Sequence, residues 1–223
     1  MLREMVDAVD LCFIVKIGGC EAIHDMDLCK LLGVTGVMAP MIETPFAMDK
    51  FRLAFERVYK NQDADRVEKI INAETITCLN HFDAILEHGA GFLTGVTVGR
   101  SDLSASMGIP RAEIESDIVF SATEQLTMKS AEAGLTTNFG GNIGIESVPF
   151  IRRLGSNIDR FETRKVVIRQ GGDEAFLKKA IAHSLKFELL YLNFKSAYYR
   201  SMANEDSTRI ERLKYQIARG MEE

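Results

Sequence analysis

Short apolar runs alternate along this chain with segments whose apolar residues recur every three or four positions. The runs are rich in β-branched residues and predict six strands, at residues 11–17, 34–41, 69–73, 92–98, 135–139 and 161–168. The intervening segments predict helices; in residues 47–59, for example, Met48, Phe51 and Phe55 fall on one face. Repetition of a strand and a helix predicts a parallel sheet, because parallel strands need a crossover of this length.

The turns that follow several predicted strands resemble one another. Glu-Thr occurs at residues 43–44 and 74–75, where Thr can cap the next helix, and Gly-Gly occurs at residues 18–19 and 140–141. Repeated units with similar turns are typical of a (β/α) TIM-type barrel, which has eight strands when it is closed. Since six strands are predicted and the chain begins with a short helical segment, we expect an α/β barrel that is incomplete at its N-terminus.

The C-terminal part of the chain predicts one long helix. Between residues 174 and 200 the apolar residues line one broad side, at Phe176, Leu177, Ile181, Leu185, Leu189, Leu192 and Tyr199. So wide an apolar face indicates packing against something additional, such as another subunit. We therefore expect residues 1–223 to form a single barrel domain, with residues 174–223 as a C-terminal helical extension at the interface of a homo-oligomer.

Composition and charge exclude several classes of protein. The 223 residues include 27 Lys and Arg against 32 Asp and Glu, and the net charge of −5 gives no electrostatic reason to bind nucleic acid or an anionic membrane. No apolar run near the N-terminus approaches the roughly 20 residues of a membrane helix, and residues 1–10 lack the pattern of a secretory signal. The four cysteines form no Cys-x-x-Cys pair, as is typical of reduced thiols. We expect a cytoplasmic protein.

Acidic residues follow two neighbouring predicted strands. Glu74 comes directly after the strand at 69–73, and Asp102 follows the strand at 92–98. In a parallel barrel the active site lies at the carboxyl ends of the strands, so these two carboxylates are candidate ligands for Mg²⁺ or Mn²⁺. From the residues alone, the alternative is that Glu74 and Asp102 cap helices or pair with Arg100.

Four motifs in this order resemble the HpcH/HpaI aldolase and citrate lyase β-chain family: residues 15–18, 38–44, 72–75 and 99–108. The most specific is Gly-Arg-Ser-Asp-Leu-Ser-Ala-Ser-Met-Gly at residues 99–108. The resemblance extends over residues 15–167 and implies a metal-dependent lyase on a TIM barrel of the pyruvate/phosphoenolpyruvate type. By position, it implies that Glu74 and Asp102 bind the divalent metal.

The resemblance also implies residues that contact a substrate. Lys16 lies where the family usually has an arginine at the substrate's oxo and carboxylate oxygens; a lysine supplies the charge without the two-pronged geometry. Alternatives for Lys16 are a surface lysine or a Schiff-base amine. The loop residues Gly99, Arg100 and Ser101 are further candidates for substrate binding. The pair Gly140–Gly141 is another candidate, because backbone N–H groups in such a turn can bind a carboxylate.

One part of the family's catalytic machinery has no counterpart here. The family places an acid/base Asp or Glu and a His on a strand upstream of the segment that matches residues 15–18. The four histidines, His24, His81, His88 and His183, match none of those positions, so we expect each to be structural or solvated.

These observations favour a metal-dependent carbon–carbon lyase of the aldolase type, acting on a 2-oxo acid through a pyruvate-like enolate. The alternative is a non-catalytic or degenerate aldolase-like barrel that binds a small carboxylate or assembles with a partner. A third possibility, a citrate-lyase-like enzyme that cleaves a thioester, would need a basic surface for the phosphates of coenzyme A. Residues 152–153 are the only adjacent arginine pair, which weighs against it.

Overall fold

The computed structural model describes residues 2–60 and 62–220, apart from the side chains of residues 62, 63 and 215–220. The strands are β1 Ile14–Lys16, β2 Gly36–Ala39, β3 Glu68–Ala73, β4 Gly95–Gly99, β5 Thr136–Gly140, β6 Arg160–Glu162 and β7 Val167–Arg169. The α-helices are α1 Leu2–Asp7, α2 Ile23–Leu31, α3 Pro45–Val58, α4 Gln62–Asp65, α5 Ile76–Gly89, α6 Arg100–Ser106, α7 Asp117–Glu132, α8 Val148–Leu154 and α9 Glu174–Gly220.

The seven described strands form one sheet in chain order, β1 to β7. The pairs from β1 to β6 are parallel, and only β6 and β7 are antiparallel. The sheet curls into a half-barrel. These features confirm the predicted α/β class and the incomplete TIM-type barrel.

The apolar core lies between the outer, convex face of the sheet and the helices. Alternate residues of neighbouring strands are paired in register and fully buried there, including Ile71, Val96, Val98, Phe139 and Phe161. Helices α2, α3, α5 and α7 pack on one another in sequence around this face. Each such side chain contributes about 1.5–3 kcal/mol on burial, so this face holds the sheet and the helices together.

Threonines at the strand ends begin two of these helices. The Oγ1 atom of Thr44 accepts a hydrogen bond from the backbone N–H of Ala47, and Thr75 does the same for Cys78. Pro45 follows Thr44 at the first helical position, where a missing N–H costs nothing. The predicted capping of helices by the Glu-Thr turns is therefore confirmed for α3 and α5.

The inner, concave face is polar, and an ion pair crosses it. Arg160 on β6 pairs with Glu68 on β3, with 2.9 Å between Nη1 and Oε2, although β4 and β5 lie between these strands. Gly95 of β4 lines the same small cavity as Arg160 and Glu68, and a Cβ atom there would be 2.9 Å from the carbonyl oxygen of Thr136. The Arg160–Glu68 pair therefore ties β6 to β3 and favours the curl of the sheet.

The sixth predicted strand, residues 161–168, is a hairpin rather than a single strand. The chain reverses after Glu162, and the backbone N–H of Thr163 donates to the carbonyl oxygen of Val166 at 2.9 Å. Glu162 then pairs with Val167 in antiparallel register. The turn at residues 163–166 includes neither Gly nor Pro, the residues that most strongly mark a turn, so the sequence pattern does not reveal the reversal. The predicted end of this strand at residue 168 is therefore wrong, and the strand ends at Glu162.

The C-terminal helix α9 is longer than residues 174–200 and mostly exposed. Its 47 residues would extend for about 70 Å at 1.5 Å per residue. Leu177 and Ile181 are buried near α8, but Leu189 and Leu192 are 59% and 47% exposed. Among the described residues, no helix has the length and apolar character needed to cross a membrane.

Replacing Arg160 by Met should lower the free energy of unfolding by about 1 kcal/mol, because the pair with Glu68 is only partly exposed. In a double-mutant cycle, Glu68→Gln should cost less in the Arg160→Met background than in the native chain. Urea denaturation of the four proteins measures the coupling. Arg164→Met, at an exposed position in the β6–β7 turn, is the control and should have little effect. Strictly additive effects would contradict the proposed tie.

Candidate active site

Glu74 is a buried carboxylate at the carboxyl end of β3. Its side chain is 2% exposed, and both of its oxygens accept hydrogen bonds. Oε2 accepts from Asn72 Nδ2 at 2.9 Å, and Oε1 accepts from the backbone N–H of Met41 at 3.0 Å. Lys16 Nζ lies 3.1 Å from Oε2 and 3.4 Å from Oε1. The carboxylate is thus held by groups from β1, from β3 and from the segment after β2.

Lys16 is the last residue of β1, and the structure brings it together with Glu74. Its side chain is 46% exposed although its ammonium group contacts a buried carboxylate. The ammonium therefore lies at the opening of the concave face, where a ligand could reach it. The choice among a substrate-binding lysine, a surface lysine and a Schiff-base amine stays a prediction.

Two glycines make room for two glutamates in this part of the sheet. Gly99 of β4 pairs with Gly140 of β5, which pairs with Glu162 of β6. A Cβ atom at Gly99 would lie 2.9 Å from the Cβ of Glu74, and one at Gly140 would lie 2.6 Å from the Cγ of Glu162. Both positions therefore need glycine, because the side chains of Glu74 and Glu162 occupy the space beside them.

Glu162 is a site residue that the sequence analysis missed. It ends β6, as Glu74 follows the end of β3, but the prediction of one strand over 161–168 placed it in the interior of a strand. Asn138 Nδ2 donates a hydrogen bond to its Oε2 at 2.7 Å. Burial raises the pKa of the Glu162 carboxyl above its usual value; the Asn138 bond and the charge of Lys16 lower this pKa, and Glu74 raises it.

Two buried amide oxygens on the concave face have no hydrogen-bond partner. Asn72 and Asn138 are 4% and 7% exposed, and the Oδ1 atom of each is unpartnered. The amide nitrogens are engaged: that of Asn72 with Glu74, and that of Asn138 with Glu162 and with Thr97. A buried acceptor without a partner costs about 1–3 kcal/mol. A bound donor or cation at this face would remove that cost.

Asp102 lies in the first turn of α6, three positions after Gly99, and is exposed. The described residues contain no group of three or more His, Cys, Asp or Glu side chains arranged to hold a metal ion. The donors nevertheless suit Mg²⁺ or Mn²⁺, since carboxylates and amide oxygens are hard ligands and Asn72 offers an unpartnered one. The metal site at Glu74 and Asp102 stays a prediction.

The side chain of Arg100 is buried within the protein. It pairs with Glu115, with 2.9 Å between Nη1 and Oε2, and its Nη2 donates to Gly141 O and Ser147 Oγ. The guanidinium also lies 4.4 Å from the ring centroid of Phe150. Its ion-pair partner is therefore Glu115 rather than Glu74 or Asp102. These contacts join the start of α6 to the loop after β5, and whether Arg100 contacts a substrate stays a prediction.

Gly141 packs directly against the start of α6. It has a φ of +95°, and a Cβ atom there would lie 2.6 Å from the backbone nitrogen of Ser101. The half-buried Ser101 and the glycine pair thus form the rim of the site next to Gly99. Whether Gly99, Ser101, Gly140 and Gly141 contact a substrate stays a prediction.

The histidines take no part in this arrangement. His24 is on α2, His81 and His88 are on α5, and His183 is on α9, and all four are exposed. His88 Nδ1 lies 3.0 Å from an Asp49 carboxylate oxygen, and His81 Nδ1 lies 2.9 Å from the carbonyl oxygen of Thr77. The expectation that the histidines are structural or solvated agrees with these positions.

Comparisons with known proteins show what this chain is similar to. The family model for HpcH/HpaI aldolase/citrate lyase matches residues 13–139, more than half of the chain. The chain is similar in structure to an HpcH/HpaI aldolase from Desulfitobacterium hafniense DCB-2, with a TM-score of 0.59, 17% identity, and coverage of 83% of this chain and 75% of that one. A comparison with curated proteins gives no significant match.

Two further solved structures have the same fold. One is an HpcH/HpaI aldolase/citrate lyase family protein from Burkholderia cenocepacia J2315, with a TM-score of 0.57, 17% identity, and coverage of 82% and 76% of the two chains. The other is the citrate synthase SbnG, with a TM-score of 0.56, 16% identity, and coverage of 86% and 78%. At these identities the likeness shows the fold alone.

Replacing Gly141 by Ala should lower the free energy of unfolding by about 1–3 kcal/mol, because a Cβ atom is strained at this φ and would meet the backbone of Ser101. Thermal or urea unfolding measures the loss. Gly19→Ala is the matched control, since a Cβ atom there meets nothing within 4 Å. Equal stability of the two variants would show that the Gly141 contact does not constrain the rim.

Proposed function

Because the chain belongs to the HpcH/HpaI aldolase/citrate lyase family, we propose that it breaks or forms a carbon–carbon bond in a 2-oxo acid, with a divalent metal ion held by Glu74 and Asp102. Membership confirms the resemblance in the sequence motifs and supports a lyase-type function. The observation that carries the proposal further is the fixed carboxylate of Glu74, which lies at a strand end with a lysine beside it.

The residues around Glu74 have distinct parts in this chemistry. A divalent metal at this site would supply positive charge to the C2 oxygen and the carboxylate of a 2-oxo acid, which stabilises an enolate. Asn72 and the Met41 N–H hold the Glu74 carboxylate in a fixed position. Lys16 adds a second positive charge at the opening of the site and can donate a hydrogen bond to a substrate oxygen.

Asp102→Ala should abolish metal-dependent exchange of the C3 protons of pyruvate, with a loss of at least about 100-fold, because one of two proposed metal ligands is removed. Proton NMR in D₂O with Mg²⁺ measures the exchange, and calorimetry measures metal affinity. Asp117→Ala is the matched control, since Asp117 is also an exposed aspartate in the first turn of a helix. Unchanged exchange in the Asp102 variant would exclude this assignment.

A second candidate function rests on the direct Lys16–Glu74 ion pair. The ammonium of Lys16 already balances the charge of the buried Glu74 carboxylate without a metal ion. A barrel of this kind could therefore bind a small carboxylate without turning it over. Calorimetric titration with oxalate, an enolate mimic, separates the candidates when exchange is measured on the same protein. Oxalate binding without exchange would favour the binding protein, whereas metal-dependent binding with exchange would favour the lyase.

We further propose that a second copy of the chain covers the exposed part of α9. Leu185, Leu189 and Leu192 are four and three residues apart, and Tyr199 follows Leu192 by seven, which are spacings of the seam of a coiled coil; all four are exposed. The stripe continues beyond Ile181, the last fully buried apolar residue of this helix. Pairing with the same helix of a second copy would bury it in a closed dimer.

Replacing both Leu189 and Leu192 by Glu should dissociate the assembly, because charges on the seam would be buried at the interface. Light scattering coupled to size-exclusion chromatography measures the mass. Asn193→Glu changes an exposed residue of the same helix that lies off the seam, and it should keep the mass of the native protein. A native chain that is monomeric at micromolar concentration would exclude the proposed dimer.

A further inference from the structure

Two carboxylates face the same part of the concave face from opposite sides. In the row across β3, β4, β5 and β6, Gly99, Gly140 and Glu162 are paired in register, and Glu74 directly follows Ala73, the last paired residue of β3. The outer strands of this row are three strand spacings apart, about 14 Å along the sheet. The side chain of Glu74 lies beside Gly99 and that of Glu162 lies beside Gly140. The two glutamate side chains therefore lie over neighbouring strands of the same face.

We propose that Glu162 is the proton-transfer residue of this site. As a carboxylate it takes a proton from C3 of the bound 2-oxo acid, so the C3–H bond breaks, its electron pair forms the enolate, and a new O–H bond forms on Glu162. In the cleavage direction it takes the proton of the C4 hydroxyl as the C4 carbonyl forms and the C3–C4 bond breaks, the electron pair of that bond forms the enolate, and Glu162 then delivers the same proton to C3. The proposal rests on the proposed function and requires no further reactant.

The contacts of Glu162 suit this role. Asn138 holds one oxygen, Oε2, at 2.7 Å, while the residue as a whole is partly exposed, so a ligand on the concave face can approach it. Among the described residues, no cationic side chain lies within ion-pair distance of Glu162. A carboxyl that is oriented but has no salt-bridge partner can change its protonation state without breaking an ion pair.

The charged groups around Glu162 are engaged elsewhere. Lys16 on β1 is bonded to Glu74, and Arg160, two residues before Glu162 on β6, is bonded to Glu68. Neighbouring strands β4 and β5 present Gly99, Gly140 and the uncharged amide of Asn138, and β7 presents Val167 opposite Glu162. Glu74 is held in position by its own hydrogen-bond donors and by Lys16, whereas among the described residues Glu162 accepts a hydrogen bond from Asn138 alone. We therefore assign the two glutamates different roles.

The histidines do not offer a proton-transfer group at this face, because all four are exposed on helices. Glu162 comes instead from the far side of the half-barrel, five strands away from β1 in the sheet order. Its carboxyl group lies near enough to Lys16 and Glu74 for their charges to act on its pKa.

The test compares native protein with Glu162→Gln, which keeps the size of the side chain and an oxygen that can accept from Asn138. Calorimetry with oxalate and Mn²⁺ measures binding, and NMR measures deuterium incorporation at C3 of pyruvate. We expect unchanged binding and a loss of exchange of at least about 100-fold, the range found for general acid–base groups. Glu162→Asp should restore part of the exchange, because it restores a carboxyl group.

Glu68→Gln is the matched control, since it makes the same chemical change on the same face in a residue outside the proposed machinery. Circular dichroism checks that each variant is folded. Native exchange in Glu162→Gln would overturn the role of Glu162 and leave the proposed function intact. Loss of oxalate binding in the folded variant would also overturn it, because Glu162 would then be a binding group. Absence of exchange in the native protein would overturn the proposed function itself, and the role of Glu162 with it.

Discussion

A buried carboxylate must be surrounded by donors, and this requirement organises the site around Glu74. Removing a charge from water costs several kcal/mol unless charges and hydrogen bonds replace the lost solvent. Here the replacements come from Lys16, Asn72 and the Met41 N–H, which belong to β1, to β3 and to the loop after β2. The carboxyl ends of three consecutive strand segments are therefore linked by one side chain. Any ligand of this face meets a preorganised carboxylate.

Glycines, which have no side chain, make room for the charged residues of the site. Gly99 and Gly140 are paired neighbours, and each leaves the space that an adjacent glutamate occupies. Gly95, two positions of the same face before Gly99, lines the same small cavity as the paired Arg160 and Glu68. The concave face is consequently lined with charged groups held at fixed positions, whereas the convex face is close-packed with apolar residues. The convex face therefore stabilises the fold, and the concave face presents the residues of the candidate site.

The last described strand of the open barrel runs in the opposite direction to the strand before it. Because β7 runs antiparallel to β6, the turn after Glu162 ends the parallel series at the point where the active-site end of the sheet lies. The family match at residues 13–139 covers β1 to β4 and most of β5, and β6 continues the same parallel series. Arg100 stabilises the carboxyl end of the sheet, because its buried guanidinium connects α6 to the loop after β5.

Local sequence determined the elements, the helix caps and one side of the site. Periodicity identified the strands, Thr44 and Thr75 predicted the caps, and the position of Glu74 after a strand indicated an active-site carboxylate, because each of these depends on residues close in the chain. Tertiary structure alone decided the rest. The burial of Arg100 and the meeting of Lys16 with Glu74 both depend on contacts between residues that are distant in sequence, and the folding of the sheet creates those contacts.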